Sequence, residues 1–151
     1  MSNQIVRGAT VRGPFTVIRA ASSTKEVLVD KHMVVLDISQ DGAHALCMYT
    51  GSFDRNNGHQ NLPGFVEVSQ SHNDLAGWRL SNRFYADACQ LCIVPASLLE
   101  VEGRVSNGFF KVLTDRVLSL KDRVKTSTHS AEAVQRVTGV ARRLKNGERI
   151  C

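Results

Sequence analysis

Four polar side chains bracket the most apolar stretch of this chain. Lys31 and His32 stand at the entrance to one apolar run (33–38), and Thr50 and Ser52 at the exit of the next (43–49). A lysine is a fixed cation, a histidine changes charge near neutral pH, and hydroxyls donate hydrogen bonds. Between the runs lies Ser39-Gln40-Asp41-Gly42. Asp-Gly between β-branched runs is a strong hairpin signal, because Gly42 can take a positive φ where the chain reverses. A closed hairpin makes its two open ends neighbours. The spacing therefore predicts a cation, a proton carrier and hydroxyl donors within reach of one another.

Other residues offer different chemistry. Cys89-Gln90-Leu91-Cys92 has the C-x-x-C spacing that can hold zinc or run redox reactions. A zinc site needs a second pair of ligands, and no nearby C-x-x-C or H-x-x-x-H supplies one. The motif lies in an apolar strand-like run ending at Val94, not at a helix start, so it reads as small buried hydrophobes. No metal and no cofactor are expected. In GWRLSNRF, Trp78 stands with Arg79 and Arg83. Such a patch can stack a base and hold phosphate, stacking being worth about 1–3 kcal/mol per base; it can also cap a core or a dimer interface. His59 and His72 lie in polar loops, and His44 beside the Asp-Gly turn reads as a surface residue.

At 151 residues the chain fits one domain and can bury about two-thirds of its unfolded surface. Its 42% apolar and 22% charged residues suit a soluble globular protein. No apolar run nears the roughly 20 residues that cross a bilayer. The polar opening does not read as a signal peptide, and reduced thiols suit the cytoplasm, so a cytoplasmic protein without membrane contact is expected. The net charge of +5 is unevenly placed: residues 1–115 hold ten Lys and Arg against eleven Asp and Glu, and residues 116–151 hold nine against three. A neutral body with a basic end suits a polyanionic or acidic partner, or a solvated helix face.

Short strands must position these residues. Residues 5–12 form an apolar and basic segment cut by Gly13-Pro14; 15–20 read as a strand, and 26–29 as a second short one. Both hairpin runs are apolar almost throughout, which predicts burial on both faces. Residues 51–64, rich in Gly and Asn, read as a long exposed loop of the kind that usually carries function. FVEVS (65–69) alternates as a strand, and 84–94 read as one or two strands ended by Pro95. Ser106 or Asn107 caps a helix from Gly108 to about Val124, with Phe109, Val112, Leu113, Val117, Leu120 and Val124 at three- and four-residue steps. Residues 125–129 read as a polar hinge before a last helix over 131–144, which carries Arg136, Arg142, Arg143 and Lys145 on one side and depends on a partner surface. The expectation is a mainly β protein with C-terminal helices. It divides into a β domain with its closing helix over 1–124 and a basic helical extension over 125–151.

This order of elements resembles the MazF/PemK toxin family over about residues 13–120. KHMVVLDI (31–38) stands where the family has its basic-Pro-Ala-hydrophobic strand, and ALCMYTGS (45–52) is similar to the strand ending in Thr or Ser at the active site. LPGFVEVS (62–69) is similar to the next strand, and GWRLSNRFYADACQLCIVPASLL (77–99) to the polar turn entering the last long strand. GRVSNGFFKVL (103–113) looks like the closing turn and helix. The chain departs from the pattern where the family's catalytic Arg-Pro falls on Lys31-His32 and where the Glu-Gln-Gly approach is absent. Lysine is a point charge without arginine's bidentate fork. Residues from 126 on also lie outside the pattern.

The resemblance implies a small SH3-like barrel, a homodimer, and metal-independent cleavage of single-stranded RNA, with an antitoxin filling the groove. It implies that Lys31 stabilises charge on the phosphorane, that His32 carries a proton, and that Thr50 bonds the scissile phosphate. Ser52, Arg55, His59, Trp78, Arg79, Arg83, Arg142 and Arg143 are the candidate nucleic-acid contacts. A second reading keeps the fold without cleavage: a phage or plasmid inhibitor or regulator that binds nucleic acid or a protein. The replaced Arg-Pro favours it.

Overall fold

In the computed structural model of the chain, the described residues are 5–18, 26–52, 56, 58–68 and 84–128. Among them are seven strands, β1 (Ala9–Ile18), β2 (Glu26–Ile38), β3 (His44–Ser52), β4 (Phe65–Val68), β5 (Phe84–Pro95), β6 (Glu100–Arg104) and β7 (Lys125–Thr128), and one α-helix, α1 (Asn107–Ser119). The strands form one sheet in the order β4-β5-β3-β2-β1-β6 with antiparallel neighbours, and β7 adds to β5 in parallel. No ladder closes the described strands into a barrel. The sheet curls all the same: the Ser127 hydroxyl on β7 donates to the Thr16 carbonyl of β1 at 2.6 Å and lies 3.4 Å from the Leu91 carbonyl of β5.

The β2–β3 hairpin forms as its Asp-Gly signal predicts. Ser39 N–H bonds the His44 carbonyl, Gly42 N–H bonds the Ser39 carbonyl, and Gly42 takes φ +74°. Four consecutive β2 residues, Met33, Val34, Val35 and Leu36, are buried because successive side chains enter opposite clusters. Val34, Leu36 and Met48 join Phe109 and Leu113 of α1, while Met33, Val35 and Cys47 join Val11, Phe15, Cys92 and Val94. Each fully buried side chain of this size contributes about 1.5–3 kcal/mol.

Several boundaries differ from expectation. β1 runs through Gly13-Pro14, because β6 pairs only with Ala9 to Arg12 and an edge tolerates proline beyond that point. The segment 26–29 is the start of β2, not a separate strand. Ser106 caps α1 by accepting from Phe109 N–H, but the helix ends at Ser119 and a 3-10 turn follows over Lys121–Arg123. The expected hinge is strand β7, so the sheet takes in the first residues of the segment expected as a helical extension. It is polar because Ser127, its buried residue, is a hydroxyl satisfied by carbonyls. The expected helix over 131–144 lies outside the described residues.

Candidate functional site

Lys31 and His32 lie inside β2, opposite Gly13 and Arg12 of β1 and just beyond the last β2–β3 pair, Val34 with Met48. Being consecutive in a strand, they face opposite ways. The two sides of the sheet therefore carry different halves of the expected site.

On the side that bears α1, His32 Nδ1 lies 2.5 Å from Glu102 Oε1 of β6, across β1. The Glu102 side chain is only 8% exposed and that of His32 27%. A carboxylate at this position accepts, which would place a ring proton on Nδ1 and leave Nε2 to exchange one with something else. Thr50, of the same parity as Met48, is 3% exposed and donates its hydroxyl to the His32 backbone carbonyl. The β2–β3 ladder reaches only Val34 and Met48, so this bond ties the strands beyond its end.

On the other side, Lys31 Nζ stands 5.4 Å from the centre of the Tyr49 ring, a cation–π contact. Tyr49 meets Phe15 edge-on at 5.4 Å and Tyr85 at 6.3 Å. His59 and Phe65 stack on Tyr85 at 4.8 and 5.6 Å. Gly51 makes room for Tyr85, since a Cβ there would lie 3.0 Å from its ring and 3.1 Å from its hydroxyl. Burial, with Tyr49 and then Asp87, pushes the Tyr85 phenol far above its usual range, so it serves as donor and ring, not as a base. Asp87 is buried where β5 carries three extra residues, 88–90, between its Tyr49 and Met48 pairings. Its carboxylate accepts from Cys89 N–H and from Gln90 Nε2, both at 2.9 Å, which holds the bulge. Gln90 Oε1 is buried with no hydrogen-bond partner among the described residues.

Lys31, His32 and Thr50 thus come together on adjacent strands but not on one face. Ser52 is exposed at the end of β3, opposite Phe84, and His59 joins the Tyr85 stack. Arg55, His72, Trp78, Arg79, Arg83, Arg142 and Arg143 lie outside the described residues. Cys92 is paired in register with Cys47 and buried with it, and Cys89 is half-buried at the bulge. No set of His, Cys, Asp and Glu converges as metal ligands among the described residues.

Sequence reasoning missed Glu102, Tyr85 and Asp87. The two-residue spacing of Tyr85 and Asp87 in a strand-like run signals a shared face. Nothing near Glu102 in sequence signals His32. No protein-family model matches the chain, and no curated protein matches it.

Proposed function

We propose that this protein acts on single-stranded RNA as a metal-independent endoribonuclease, a divergent MazF/PemK-like toxin on an SH3-like barrel. The observation that carries the reading is the His32–Glu102 pair, a half-buried imidazole whose Nδ1 lies against a buried carboxyl group. Cleavage of RNA by its own 2′-OH needs a group that takes a proton near neutral pH, and an oriented histidine suits that task. Lys31, on the opposite side of β2, supplies positive charge for holding the RNA and not at the group that His32 serves. A homodimer, a cytoplasmic setting and a neutralising antitoxin belong to the same reading.

The test is incubation of the purified chain with single-stranded RNA in EDTA. Cleavage is expected, and His32→Gln, which leaves Glu102 a hydrogen-bonding neighbour, should slow it about 10²- to 10⁴-fold. RNA left intact sinks the nuclease reading. Expression of the wild-type chain should arrest growth, and His32→Gln should relieve the arrest.

Two observations favour a second reading, binding without cleavage. The Thr50 hydroxyl is buried and already donated to a backbone carbonyl, and Lys31 faces away from His32. RNA bound but intact in EDTA is the outcome that supports it.

A further inference from the structure

Three cations, Lys121, Arg123 and Lys125, stand exposed just after α1, with exposed Asp122 among them. None makes an ion pair among the described residues, whereas Arg7, Arg12 and Lys111 are paired with Asp37, Asp30 and Asp115. Val124 is extended (φ −73°, ψ 129°) and packs into the cluster beneath α1. Lys125 opens β7, where alternation turns it away from Val124, and Arg123, the last residue of the 3-10 turn, is exposed beside it.

That side connects with the Tyr49 cluster. Lys125 pairs in register with Gln90, whose amide bonds Asp87, the register partner of Tyr49. Lys125, Gln90 and Phe15 also line one cleft too narrow for water. Phe15 touches the Tyr49 ring that Lys31 covers. Arg123 and Lys125 are both close enough to Cys89 to oppose the upward push that burial and Asp87 give its thiol.

We propose that Arg123 and Lys125 form, with Lys31, a track that holds the phosphate backbone of single-stranded RNA as it passes Tyr49. The inference deepens the ribonuclease reading and rests on its RNA substrate. The cores of protein interfaces are depleted of charge and relatively apolar, whereas Val124, the apolar residue between these two cations, is turned inward. Exposed cations that make no ion pair among the described residues suit a phosphate chain, whose binding is driven by counterion release.

The experiment measures binding of the full chain to a labelled 2′-O-methyl oligouridylate, which cannot be cleaved through its 2′ oxygen, across a salt series. Arg123→Gln/Lys125→Gln should lower the slope of log affinity against log salt by about 1.4, at about 0.7 per phosphate contact on a single strand. Arg123→Lys/Lys125→Arg, which keeps both charges, should keep the wild-type slope. An unchanged slope in the Gln variant overturns the track, even if the wild type cleaves RNA. Stronger displacement by polyglutamate than by RNA also overturns it, in favour of an acidic protein. A wild type that binds with the expected slope but leaves RNA intact overturns the nuclease reading and leaves the track standing.

Discussion

A neutral histidine in water divides its single proton between two ring nitrogens, and a carboxylate held against Nδ1 would bias that choice for His32. The pair is separated by 70 residues in the chain and joined by a 2.5 Å contact. If Glu102 acts only by orienting the ring, its loss matters only while His32 is present. Glu102→Ala should therefore slow RNA cleavage by at least about 10- to 100-fold, the scale seen when an orienting partner of a metal-bound histidine is removed. In a His32→Gln background the same change should add little, because residues that act as a unit are not additive. Independent, multiplying losses in the kinetic double-mutant cycle would separate the two. The lysine beside His32 belongs to another environment, covering Tyr49 on the opposite side of β2.

The hairpin that carries both residues depends on its turn. Asp41 accepts from the Ser39 hydroxyl at 2.6 Å and from Ala43 N–H at 3.0 Å, and these two bonds lower its pKa from 3.8. Asp37 is lowered as well, first by Ile38 N–H and then by Arg7. A depressed carboxylate stabilises the fold above its unfolded pKa, and that stability is lost as pH falls through the folded value. Urea unfolding followed from neutral pH to below pH 3.8 should show an acid limb. Asp41→Asn should reduce that limb while lowering stability at neutral pH; an identical limb in the variant would exclude Asp41 as a source. The turn was legible in the sequence because Asp-Gly chemistry is local, and the Ser106 cap of α1 was legible for the same reason. The end of α1 was not, since Leu120 and Val124 keep the helical spacing although the chain has left the helix.

Across the molecule, the ends of the curled sheet are tied by β7. Ser127→Ala removes a buried donor from the Thr16 carbonyl and should cost about 1 kcal/mol, up to about 3 if that acceptor loses its only good partner. The urea midpoint should fall by the corresponding amount, and an unmoved midpoint would show that the curl does not depend on this bond. Patterning along the chain determined the mainly β character, the two-sided burial of β2 and β3, the hairpin turn and the helix cap. Each of these follows from the side chains and backbone freedom of a few consecutive residues. Only the tertiary structure decided that Glu102 reaches His32, that Lys31 and His32 part to opposite faces, and that a polar stretch at residues 125–128 is a strand. Those outcomes depend on which strands become neighbours and in what register, and pairing over such distances leaves no periodic mark near the residues it joins.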